Sequence, residues 1–95
     1  MPKVLVSDPI ANEGVELLKS TSGVVVDVKT GMKPAELLEV VDGYDGLVVR
    51  SETKVTADVI KHGKSLRVIA RAGIGVDNID LDAATGAGIA VVNAP

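Results

Sequence analysis

Apolar runs begin at Lys3, Val24, Gly46, Arg67 and Ile89, at intervals of 21 or 22 residues. Each run is short and rich in Val, Ile and Leu. Each of the first four is followed by a turn signal and then by a helical pattern. A strand, a helix and two turns fit inside such an interval, whereas a hairpin needs far less chain. The rhythm therefore predicts β-α-β-α-β-α-β-α-β, ending on a strand.

The expected strands cover residues 3–7, 24–28, 46–50, 67–70 and 89–92. The first helix is expected over 12–20, with Asn12 as N-cap and Glu13 in the first turn, where the helix dipole favours an anion. The second spans 34–41, with Pro34 at its first position, where proline is tolerated. The third starts from Thr56 as N-cap, with Val55 and Ile60 as a hydrophobic staple and Gly63 at C′. A short fourth helix is capped by Asp80 and ended by Gly86 and Gly88. Right-handed crossovers and one reversal of winding give a flavodoxin-like α/β fold, a parallel five-stranded sheet in the order 2-1-3-4-5. Helix one then lies on one face and helices two to four on the other. A wound sheet normally carries a helix after its last strand. The chain stops at Pro95, so the final helix is expected to be lacking, with strands three to five bare beside helix one.

Composition agrees with buried parallel strands. The chain is 46% hydrophobic, yet Tyr44 is its one aromatic residue, so the core must be aliphatic. Ten basic and 13 acidic residues are well mixed, for a net charge of −3, with no basic block and no stacking platform. This argues against nucleic-acid binding. The absence of cysteine suits a reducing compartment. No apolar stretch approaches the ~20 residues of a membrane helix, and the amino terminus runs straight into a strand. The expectation is a soluble, cytoplasmic chain forming one domain over residues 1–95, without an internal boundary.

Ligands of such sheets bind outside the carboxyl ends of the strands, near the switch between strands one and three. The candidates there are Ser7 and Asp8, then Arg50, Ser51 and Thr53, then the loop 71–77, and finally Asn93. Arginine offers a planar donor fork suited to carboxylate or phosphate, so Arg50 is either a ligand-binding group or a partner of a nearby carboxylate such as Asp45. The two glycines of R-A-G-I-G-V-D permit either an anion nest of backbone amides or merely a tight turn. Asn78 stands where a dinucleotide fingerprint would need its third glycine, so no cofactor-binding motif is present. Asp8 has no second carboxylate near it in sequence and reads as structural rather than as a metal ligand. His62, the only histidine, sits where it complements a helix C-terminus. No catalytic residue is assigned.

The stretches KVLVSDPIANEGVELL, YDGLVVRSETKVTADVI and RVIARAGIGVDNIDLDAATGAGIAVVNAP resemble the D-2-hydroxyacid dehydrogenase family, and within it the members that oxidise 3-phosphoglycerate. The similarity runs over essentially the whole chain. It implies the first part of a substrate-binding domain, in which Arg50 and Ser51 approach the substrate's carboxylate or phosphate. The backbone around Gly73, Ile74 and Gly75 would hold a carboxylate, and Asn93 would line the same cleft. It implies an NAD-dependent parent enzyme of serine biosynthesis, with the NAD domain and the catalytic Arg, Glu and His beyond Pro95. A carboxy-terminal helix returning to this domain would replace the missing fifth one. The 95 residues alone would then bind a small anionic 2-hydroxy acid weakly and oxidise nothing.

Two other kinds of protein share the architecture. A flavin-binding or phosphoacceptor module would need stacking aromatics, or paired acids after strand one with Asp and Lys after strands three and five. The chain offers Asp8, Arg50 and Asn93 at those places. A self-associating structural module is the remaining alternative, and the bare face leads to the expectation of a homodimer, formed face to face or by exchange of an element.

Overall fold

The computed structural model describes residues 2–20, 23–73, 75 and 77–94. The elements run β1 (Lys3–Val6), α1 (Asn12–Ser20), β2 (Val25–Val28), α2 (Pro34–Val40), β3 (Gly46–Val49), α3 (Ala57–His62), β4 (Val68–Ala72), α4 (Leu81–Gly86) and β5 (Ala90–Ala94). All neighbouring strands are parallel, in the order β2-β1-β3-β4-β5. The winding expected from the repeat is the one adopted.

The helix starts follow their caps. Thr56 Oγ1 accepts the Val59 N–H at 3.3 Å, and Asp80 Oδ1 accepts the Ala83 N–H at 3.0 Å. Pro34 opens α2, and the Glu36 carboxylate reaches back to the Lys33 N–H at 3.0 Å. Two expectations need correction. Helix α1 begins at Asn12 itself, and the Ala11 carbonyl closes its first turn by accepting from Val15 at 3.3 Å. Gly63 has φ −82°, so it is not a left-handed cap. A side chain there would instead run into Leu66, which fills the space under the end of α3.

Strand register sorts the sheet into two faces. Leu5, Leu47, Ile69 and Val91 stand side by side on one of them. The first three are essentially inaccessible and pack with Leu37, Val41, Val59, Ile60, Ala84 and Ile89 beneath α2, α3 and α4. The other face carries the row Val28, Val6, Val48, Ala70, Val92. Helix α1 packs along β2. Burial on this row is greatest at Val6, 0% exposed, and falls on both sides of it: Val28 is 46% exposed on β2, and across the sheet Val48 and Ala70 are half-buried and Val92 is 49% exposed. In the row beside it Val68 is 38% exposed and Ala90 is exposed. The apolar face beyond α1 is open to solvent, as the helix count implied.

The amino end of the sheet is held by side chains. Tyr44 donates its hydroxyl to Asp27 at 2.7 Å, and the Lys3 ammonium lies 4.9 Å above its ring. Burial, and then the hydrogen bond to the Asp27 carboxylate, push the phenol up to about 12. Asp45 Oδ2 accepts the Lys3 N–H at 2.9 Å, so the carboxylate considered as a partner for Arg50 is engaged at the opposite end of β3.

Candidate functional site

The carboxyl end of the sheet is built around two polar side chains that are almost wholly buried. Asp8, 2% exposed, follows β1. Its Oδ2 accepts the backbone N–H of Arg50 at 2.7 Å and that of Thr53 at 2.9 Å, and its Oδ1 accepts the Thr53 hydroxyl. Since that hydroxyl donates to Asp8, its oxygen is left to accept from Ser7 Oγ, 3.0 Å away. A buried carboxylate is tolerated only when donors surround it, and these donors all come from the β3–α3 loop. Asp8 is thus structural, as its isolation in sequence suggested.

Asn78, 9% exposed, does the same from the other side. Its amide nitrogen donates to the Arg50 carbonyl at 2.8 Å and to the Thr53 carbonyl at 2.7 Å. Its Oδ1 accepts from Arg71 Nε at 2.9 Å. An isolated parallel bridge between Val55 and Ile79 runs alongside, with Val55 N donating to the Asn78 carbonyl and Asp80 N to the Val55 carbonyl. The β3–α3 and β4–α4 loops are therefore stitched into one piece.

Two guanidinium groups emerge from this frame. Arg50 is exposed, and among the described residues its side chain has no hydrogen-bond or ion-pair partner. Arg71 is half-buried and held by Nε, which leaves both terminal nitrogens available. Gly73 makes room for it: a Cβ there would collide with the Arg71 Nη1 atom, and φ +155° is itself unfavourable for any other residue. Ser51 and Gly75 are exposed on the same edge. Ile74 lies outside the described residues. The Thr53 hydroxyl points inward to Asp8 and Ser7, so it shapes the loop.

Two strand ends differ from expectation. β4 extends through Ala72 and β5 through Ala94, so Arg71 and Asn93 are paired neighbours in the ladder rather than loop residues. In the sequence Arg71 is a candidate only as part of the loop 71–77, with no role of its own, and Asn78 is not a candidate at all. An arginine inside a loop-like string, and a lone asparagine where a glycine had been sought, carry no periodic signature.

A cavity of about 470 Å³ opens beside the β3–α3 loop, between α2 and α3. Met32, Leu37, Leu38 and Val59 form its apolar wall, and Ser7, Asp8 and Thr53 its floor. Neither arginine lines it. Among the described residues no group of His, Asp or Glu could hold a metal, and no helix is long and apolar enough to cross a membrane. His62 is committed to its own helix, its Nδ1 donating to the Asp58 carbonyl at 2.8 Å. After β4, the place where a dinucleotide fingerprint would have its third glycine is held by Asn78, whose two amide protons and amide oxygen are bonded to Arg50, Thr53 and Arg71.

Five parallel strands in this order, with helices between them and two arginines at the carboxyl edge, define a flavodoxin-like α/β domain. The family is that of the D-isomer specific 2-hydroxyacid dehydrogenases: the sequence profile of their catalytic domain matches residues 4–95, and the chain belongs to it. It is 54% identical over 93 residues to the D-3-phosphoglycerate dehydrogenase of Archaeoglobus fulgidus, covering 98% of this chain and 18% of that protein. To the enzyme of the same name from Synechocystis it is 53% identical over 95 residues, 100% of this chain and 17% of that protein. The crystal structure of NAD+-bound 3-phosphoglycerate dehydrogenase from Entamoeba histolytica superposes with a TM-score of 0.89 at 32% identity, over 99% of this chain and 33% of that one. The chain thus spans less than a fifth of the length of these two curated relatives.

Proposed function

We propose that residues 1–95 form one unit, the leading part of the substrate-binding domain of an NAD-dependent dehydrogenase that oxidises 3-phosphoglycerate at its 2-hydroxyl, in cytoplasmic serine synthesis. The observation that carries this is the pair of arginines on one rigid edge, Arg50 without a partner among the described residues and Arg71 held with its terminal nitrogens available. 3-Phosphoglycerate is anionic at both ends, and two separated guanidinium forks suit such a molecule. Ser51 and Asn93 line the same cleft, and the backbone of Gly73, Ile74 and Gly75 takes the carboxylate.

The chain's own residues bind and orient. Neither proton abstraction nor the hydride acceptor, which NAD supplies when bound to the parent enzyme, is assigned to them. Titration with 3-phosphoglycerate against unphosphorylated glycerate tests the proposal. The phosphorylated acid should bind more tightly, and Arg50→Ala should remove the difference. Equal affinity for the two acids would overturn it.

The open valine face favours a second property. Val68 and Val92 stand exposed on neighbouring strands with Ala70 and Ala90 between them. We propose that the 95-residue chain pairs with a second copy through this surface.

A further inference from the structure

We propose that Asn78 is a positioning residue that fixes the Arg71 guanidinium relative to the backbone that carries Arg50, an inference that rests on taking this edge as an anion site. The assignment of its amide is not in doubt, because each partner allows one polarity. The Arg50 and Thr53 carbonyls can only accept, and Arg71 Nε–H can only donate. Both amide protons and the amide oxygen are therefore used, within 2.9 Å in every case.

The consequence for the two cations differs. Arg50 is fixed through its backbone, its N–H held by Asp8 at 2.7 Å and its C=O by Asn78 at 2.8 Å. Only the side chain beyond Cα is left to move. Arg71 is fixed through its guanidinium, which pivots on the Nε–H bond to Asn78 and is accommodated by the bare Cα of Gly73. The Asn78 side chain is neutral, so it holds the Arg71 guanidinium and the Arg50 backbone without cancelling either charge.

The chemistry of the position is narrow. Aspartate would keep the Arg71 contact but would set its charge against two carbonyl oxygens and offset the guanidinium. Leucine or alanine would strand two carbonyls and the Arg71 N–H. Glutamine offers the same groups one methylene farther out, in a place that is almost closed.

The test uses the 95-residue chain with inorganic phosphate as probe, and two readouts. Side-chain ¹⁵N NMR follows solvent exchange of the arginine Nε–H protons. In the unaltered chain the Arg71 Hε should be protected and that of Arg50 unprotected. Equal exchange at both overturns the proposal without any variant. In Asn78→Ala the Arg71 Hε should lose its protection, and phosphate affinity of the folded protein should fall about tenfold. Asn78→Asp should keep the protection yet lose affinity. A merely structural asparagine would lower the thermal midpoint while leaving the affinity of folded protein unchanged, and that outcome overturns the proposal. Arg50→Ala and Arg71→Ala serve as the control. If they weaken phosphate binding and Asn78→Ala does not, the anion site stands and the positioning role fails. If neither arginine matters, or phosphate does not bind at all, the anion site itself is wrong.

Discussion

Thr53 gives both its backbone N–H and its hydroxyl proton to Asp8, 45 residues earlier in the chain. The β3–α3 loop is thereby anchored to the end of β1, across the switch point of the sheet. Asp8→Ala would leave the N–H groups of Arg50 and Thr53 without their acceptor. It should lower stability by about 2–4 kcal/mol in urea unfolding, a large share of what a small domain possesses. Thr53→Val keeps the backbone bond and should lose only about 1 kcal/mol. Equal effects from the two variants would show that Asp8 is not the anchor.

Gly73→Ala should move Arg71. The new methyl meets the Nη1 atom and the backbone must leave φ +155°. A loss of about 1–3 kcal/mol is expected, with weaker phosphate binding as Arg71 is displaced. Among the described residues a Cβ on Gly75 meets only Asp77, no closer than 3.8 Å, so Gly75→Ala should cost less stability than Gly73→Ala.

Register separates two adjacent valines. Val91 packs against the core beneath α4, whereas Val92 points to the open face. Val91→Glu should unfold the chain. Val92→Glu should leave it folded and convert the expected dimer to monomer in sedimentation equilibrium. An unaltered chain that sediments as a monomer at high micromolar concentration removes the dimer.

Alkaline pH probes the other end of the sheet. Tyr44 is an acid whose folded value, about 12, lies above the ordinary 10, so the fold favours its protonated form. Its contribution is fully present below pH about 10 and is lost as pH rises from there through about 12. Tyr44→Phe should flatten that segment of the stability profile, followed by circular dichroism.

The 95 residues should produce no NADH from 3-phosphoglycerate and NAD, and should bind the acid no more tightly than about 10 μM. Turnover that disappears in Arg50→Ala would mean that a base and a hydride-acceptor site are present after all.

Topology was legible in the sequence because it rests on spacing. Five β-branched runs at a constant interval leave few windings once crossovers are right-handed. Thr56 and Asp80 were legible as caps because capping chemistry is local. The ends of β4 and β5 were not. Arg71 and Asn93 look like loop residues, since hydrophobic patterning says nothing of polar residues that continue a ladder at its carboxyl edge. The engagement of Asp45 with Lys3, and of Asn78 with two loops, depends on partners 42 and 25–28 residues distant, which no local pattern encodes.

The Val55–Ile79 bridge has a further consequence, for what lengths of chain can be tolerated. It ties Val55 to Ile79 in the β4–α4 loop as β3 ties Val49 to β4, and the five residues between them carry Arg50, Ser51 and Thr53. One residue added or removed there would turn Thr53 away from Asp8, or slide Val55 out of step with Ile79. This connection should therefore resist insertions and deletions as a strand interior does, while the turn at Asp42-Gly43 accepts them.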